Sequence, residues 1–93
     1  MARLNNTKIQ QELKHLTGWT KRRIEIRKKF KFKDFVRAMG FVNSVALLAE
    51  RANHHPDVDI RWNKVLLVLS THSEGGITRK DIALAKEIQS LLK

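Results

Sequence analysis

Cysteine is absent from this 93-residue chain. Its absence removes disulfides and thiolate-held metals, and it fits a reducing compartment, with the cytoplasm as the expected location. A chain this short buries a modest share of its surface and has no covalent staple, so self-association as a homodimer or homotetramer is expected to cover apolar area. There is one proline, no Pro/Gly/Ser-rich stretch and no internal repeat, so nothing divides residues 1–93 into more than one domain. Long apolar runs are also missing. No run is longer than residues 65–69, which is far too short to span a bilayer, and the opening MARLNNTKIQ has no apolar core of signal-peptide length. The expectation is a soluble protein with no membrane partner.

Acidic residues are scarce, 9 against 19 Lys and Arg, which leaves a net charge of +10. The excess is local: residues 21–33 hold eight cations and one acid, Glu25, for a charge of +7. Such a stripe is an electrostatic footprint for phosphates, acidic partners or anionic surfaces.

Periodicity divides the chain into helices and strands. Residues 7–16 read as a short helix with Thr7 and Gln10 as a capping box, Ile9, Leu13 and Leu16 on one face, and Gly18 ending it. Residues 24–32 alternate, which predicts a half-buried strand with Ile24, Ile26, Phe30 and Phe32 inward and residues 19–22 as its hairpin partner. Residues 34–51 return to helical spacing, with one stripe of Phe35, Met39, Val42, Ala46 and Ala49 beside another of Ala38, Phe41, Val45 and Leu48. Pro56 forces that helix to stop before His55. Val58, Ile60 and Trp62 alternate with polar residues, Asn63-Lys64 reads as a two-residue turn, and residues 65–72 form a Val/Leu-rich strand. Thr78 and Asp81 make a capping box for a last helix, with Ile82, Ala85, Ile88 and Leu92 on one face. The order α-β-β-α-β-β-α predicts an α+β two-layer sandwich: a four-stranded antiparallel sheet with helices packed on one face.

Two of the four histidines, His54 and His55, stand side by side before the only proline. Glu50 lies one helical turn before His54, so the two are neighbours if the helix extends that far. Pro56 holds His55 extended and turns it elsewhere, and His72 at a predicted strand end is the third candidate. Imidazole gives and takes protons near neutral pH, so two or three in one cleft suit a reaction needing an acid and a base together. No Ser, Cys or Lys stands in an activating arrangement for covalent catalysis. Glu50 and the three histidines are ligand types, yet adjacent histidines on extended backbone diverge, and no metal site is expected.

The pattern Glu50-x-x-x-His54-His55-Pro56, Trp62, Thr71-His72, Gly75-Gly76 and Asp81 resembles the signature of the pterin-4a-carbinolamine dehydratases. Gly18-Trp19, FKFKDFVRAMGFVNSVALLAE and LSTHSEGGIT are similar to that family as well, so the likeness runs from about Leu16 to the C-terminus. The resemblance implies dehydration of 4a-hydroxytetrahydropterin to the quinonoid dihydropterin with no metal or organic cofactor. It implies His54, His55 and His72 as acid-base and binding histidines, with Glu50, Trp19, Thr71, Asp81 and Pro56 around the substrate. The sequence departs from the family at Trp62, most often Tyr, and at Arg23-Ile24, where relatives often carry Asp-Gly.

Each signal has a plainer explanation too. His54 and His55 suit the C-terminal dipole of a helix, Asp81 is accounted for by its cap, and Trp19 and Trp62 suit a core or an interface. Thr71 suits a strand, and His15 an exposed helix face. The alternative function is a basic nucleic-acid- or protein-binding module acting through residues 21–33. Against it, Phe30 and Phe32 face opposite to Lys29, Lys31 and Lys33 in a period-two strand, so the aromatics are expected beneath a solvated charged face. A member of the similar family also stabilises a transcription-factor dimer, which leaves a second role of that kind open.

Overall fold

A computed structural model describes residues 2–92 of the chain. Helix α1 (Asn6–Leu13) is followed by strands β1 (Thr20–Arg22) and β2 (Glu25–Lys31), helix α2 (Phe35–Ala52), strands β3 (Asp57–Arg61) and β4 (Lys64–Leu69), a 3-10 turn at His72–Glu74 and helix α3 (Arg79–Ser90). The expected α+β order is the observed one. All neighbouring strands are antiparallel, and the sheet order is β1-β2-β4-β3. Strand β4 is therefore central and β3 lies at an edge, with α2 carrying the chain from β2 past β4 to that edge.

The alternation of β2 and β4 explains the layers. Ile26 and Phe30 share a face with their partners Leu69 and Val65, and Leu67 lies between them. All five are buried with Ala38, Phe41, Val45 and Ala49 of α2 and Ile82, Ala85 and Ile88 of α3. Burying each of the larger side chains contributes roughly 1.5–3 kcal/mol. Of the two stripes read on α2, only Ala38, Phe41 and Val45 with Ala49 are buried; Phe35 and Ala46 are exposed.

Several local expectations are corrected. Asn5, not Thr7, caps α1, accepting from Lys8 N–H at 2.8 Å, and the helix ends before Leu16, which is buried from the following turn. Ile24 is 51% exposed because it sits in the β1–β2 turn, since Arg22 pairs with Glu25. The β3–β4 turn is Trp62-Asn63, because Arg61 pairs with Lys64. Asn63 is buried there and donates to Phe32 O at 2.8 Å. His72 lies beyond the end of β4, in the 3-10 turn. Leu92, read on the inner face of the last helix, is exposed past its end.

Candidate active site

The end of α2 determines where the paired histidines go. Asn53 adopts the left-handed conformation (φ 51, ψ 44), and its N–H returns to Ala49 O and Glu50 O. His54 N–H also returns to Ala49 O, at 3.1 Å. Asn tolerates this conformation better than most residues, and the cap reverses the chain. His54 is thereby set against the start of α3 and His55 over the last turn of α2.

His54 Nε2 lies 2.5 Å from Asp81 Oδ1, and Asp81 is fully buried. The other oxygen, Oδ2, accepts from Thr78 N–H at 2.9 Å and from Thr71 Oγ1–H at 2.8 Å. Because that proton of Thr71 is committed to Asp81, the 2.8 Å contact between Thr71 Oγ1 and Thr78 Oγ1 is donated by Thr78. An ionised Asp81 accepts only, so Nε2 of His54 carries hydrogen and the lone pair of the neutral ring is on Nδ1. The predicted capping box of Thr78 and Asp81 is present, and the same carboxylate also reaches His54.

Glu50 was expected beside His54. It instead accepts from His55 Nε2 at 2.7 Å, because Asn53 ends the helix before an i to i+4 relation can reach residue 54. The His55–Glu50 pair is exposed, the two side chains at 58% and 79%. Both residues line an apolar groove of about 230 Å³ with Val42, Val45, Ala49 and Pro56. His54 and His72 are not part of that lining.

His72 is exposed in its 3-10 turn, which Gly75 closes with φ +69 and an N–H to His72 O at 3.0 Å. Asp57 pairs with Val68, so Pro56 and His55 lead into the same end of the β3–β4 ladder from which Thr71 and His72 emerge. Hydrogen bonds thus join His54, Asp81 and Thr71 in one cluster and His55 with Glu50 in another, and both lie at that end of the molecule. Trp19 stands apart from these contacts. Its indole is buried, donates to Gln89 Oε1 at 3.2 Å and meets Phe30 edge-on. Trp62 is in the turn at the opposite end of β3, roughly 20 Å of extended chain from Pro56.

Reasoning from sequence missed Asn53 and the Thr71–Thr78 contact. An Asn preceding His-His-Pro was an available signal for the left-handed cap, whereas the contact between two threonines had none. The basic run does not form one surface. Lys29 and Lys31 share the helix-free face of the sheet with their partners Leu66 and Lys64, while Lys28 turns to the helix side and lies over the Phe30 ring. Among the described residues no group of three or more His, Cys, Asp or Glu is placed to hold a metal ion, and no helix is long and apolar enough to cross a membrane.

The family model for pterin 4 alpha carbinolamine dehydratase matches residues 2–91. A curated relative from Roseiflexus castenholzii carrying the pterin-4-alpha-carbinolamine dehydratase name is 53% identical over 91 residues, covering 98% of each chain. One of the same name from Thermomicrobium roseum is 48% identical over 91 residues, again covering 98% of each chain. A crystal structure from Brucella melitensis, described as a transcriptional coactivator/pterin dehydratase, matches with a TM-score of 0.93 at 41% identity, covering 96% of this chain and 97% of that one. A pterin dehydratase-like protein described as a RuBisCO assembly factor shares the fold, with a TM-score of 0.66 at 19% identity over 78% of this chain and 84% of its own.

Proposed function

This chain belongs to the pterin 4 alpha carbinolamine dehydratase family, and from that membership we infer a hydro-lyase that converts a 4a-hydroxytetrahydropterin into the quinonoid dihydropterin and water. In that reaction the C4a–O bond breaks and the hydroxyl leaves as water. N5 loses its proton, and the electron pair of the N5–H bond becomes the second bond between C4a and N5. One group must protonate the leaving hydroxyl while another takes the N5 proton.

The observation that carries the assignment is the pairing of Nε2 with a carboxylate at both His54 and His55. Each pairing fixes hydrogen on Nε2 and leaves Nδ1 as the proton acceptor, the arrangement by which a carboxylate orients a catalytic imidazole. His55, exposed on an apolar groove, takes the N5 proton. His72, exposed in the turn beyond β4, protonates the hydroxyl. His54, largely covered and tied through Asp81 to Thr71, holds the pterin and the two segments in register. Glu50 and Pro56 position His55, and Thr71 and Asp81 position His54. Trp19 acts from the core, bracing the end of α3 through Gln89.

Purified protein is expected to speed the loss of 4a-hydroxypterin absorbance above the spontaneous rate, with a chelator present. His55→Gln and His72→Gln should each lower that enzymatic rate by about 10²-fold or more. Glu50→Gln should cost about tenfold in kcat while changing stability by less than about 0.5 kcal/mol, as an exposed pair does. Full acceleration in both histidine variants would remove the site from consideration.

A further inference from the structure

Three segments meet around an open cleft of about 420 Å³ beside the turn that carries His72. They are the N-terminal arm, the β1–β2 hairpin and residues 75–77. Each is tethered: Leu4 N–H bonds to Ile77 O at 2.8 Å, Ser70 Oγ donates to Ile24 O at 2.8 Å, and Thr71 N–H bonds to Gly76 O at 2.8 Å. The walls are therefore fixed relative to one another and to the end of β4.

The cleft's chemistry is one-sided. Among the described residues its lining includes Arg3, Lys21 and Arg23 and no acid. Arg3 lays its stem across Gly76, where a Cβ would stand 2.8 Å from Arg3 Cδ, so glycine at 76 is what lets the guanidinium stem lie there. Arg23 holds a positive φ of 57, unfavourable for a long side chain, and its carbonyl accepts from Lys21 Nζ at 2.6 Å. Neither guanidinium has a carboxylate partner among the described residues, although the chain pairs Arg27, Arg37, Arg51 and Arg61 with acids. Asn5 and Asn6 add the start of α1, whose first turn contains no acid. Guanidinium groups recognise phosphate and carboxylate through parallel N–H bonds.

The cleft is close to the proposed chemistry. Gly76 bridges to Thr71, the residue before His72, so one Cα step of about 4 Å and one bridge of about 5 Å separate the rim from His72. In a pterin, the side chain leaves the ring at C6, which is bonded to the reacting N5. A side chain departing past His72 therefore has a cationic cleft within reach of a short ester.

We propose that Arg3, Lys21 and Arg23 form a subsite for an oxyanion at the end of the pterin side chain, a phosphate monoester or a carboxylate, and that the preferred substrates of this chain are anionic 4a-hydroxytetrahydropterins. The proposal rests on the dehydratase reading of the histidine site. Full-length protein is assayed with two 4a-hydroxytetrahydropterins, one bearing a neutral 6-methyl group and one bearing a 6-hydroxymethyl phosphate ester. The expected result is a kcat/KM at least tenfold higher for the phosphate ester, expressed mainly in KM. The double variant Arg3→Gln/Arg23→Gln should abolish the advantage and leave the 6-methyl kinetics unchanged, which also shows that the variant is folded. Inorganic phosphate should compete with the ester alone. Equal kcat/KM for the two substrates, or a preference that survives the double variant, overturns the subsite. Inhibition or activation of 6-methyl turnover by inorganic phosphate overturns it too, because the cleft would then serve a free anion. Failure to turn over either compound instead sinks the dehydratase reading, and the two failures are thereby distinct.

Discussion

At Asp81 a single carboxylate accepts from the first residue before α3, from a threonine beyond β4 and from a histidine 27 positions earlier. Asp81→Asn keeps one acceptor oxygen but places an NH₂ against either His54 Nε2–H or the donors from Thr71 and Thr78. The buried mismatch should cost about 2–3 kcal/mol, read as a fall in the urea midpoint with unchanged slope. It should also push hydrogen from Nε2 to Nδ1 of His54, so turnover is expected to drop by at least about tenfold at temperatures where the variant is fully folded. A variant with normal kcat would show that the tautomer of His54 is irrelevant to the reaction. The sequence displayed half of this residue's work. The spacing of Thr78 and Asp81 is a local pattern and was readable, but the His54 contact depends on how α2 and α3 pack. Glu50 illustrates the converse: i to i+4 adjacency assumed a helix that reached residue 54, and the left-handed Asn53 gave Glu50 to His55 instead.

Elements were legible where burial sets the period and obscure where turns do. Ile26 and Phe30 of β2 and Val65, Leu67 and Leu69 of β4 repeat every second residue because one face packs on helices, and this fixes register strongly. The two hairpin turns place positive φ on Arg23 and Trp62, neither a usual turn residue, so the first turn had no local sign and the second was read one residue late, at Asn63-Lys64, until the strand register placed it at Trp62-Asn63. Lys28 marks another limit of pattern reading. It occupies an inward position of β2, where its ammonium donates to Thr17 O at 2.8 Å and Gln89 Oε1 at 2.9 Å, joining the turn after α1 to the end of α3. Burial lowers its pKa below the ordinary lysine value of 10.5. Between the lowered folded value and 10.5 the unfolded chain binds more protons, so this lysine makes stability rise with pH across that alkaline window. Urea titrations at several alkaline pH values should show that rise in the wild type relative to Lys28→Met, in which the contribution is absent. An identical pH slope in the two proteins would contradict the burial of the ammonium.

For the whole molecule, the unfinished surface is the outer side of α2. Val36, Gly40, Asn43 and Leu47 recur at intervals of four, three and four residues and so lie along one stripe. Val36 is 78% exposed and Leu47 74%, and a Cβ on Gly40 would meet nothing within 4 Å. Two copies of such a stripe can approach closely at the glycine and bury the valine and leucine against each other, which an isolated 10.8 kDa chain cannot do. Phe35, also half-exposed, lies at the start of the same helix and extends the apolar area toward the roughly 800 Å² per partner of a stable interface. The expected outcome is sedimentation of the wild-type protein as a dimer or larger even-numbered assembly at micromolar concentration. Val36→Glu/Leu47→Glu should convert it to a monomer, because two carboxylates facing their symmetry mates would be desolvated without partners. Both positions are solvent-facing in the single chain, so the circular dichroism spectrum should be preserved. A wild-type protein that sediments as a monomer at every concentration, or a double variant that remains assembled, would show that α2 is not the surface through which the chain covers its apolar area.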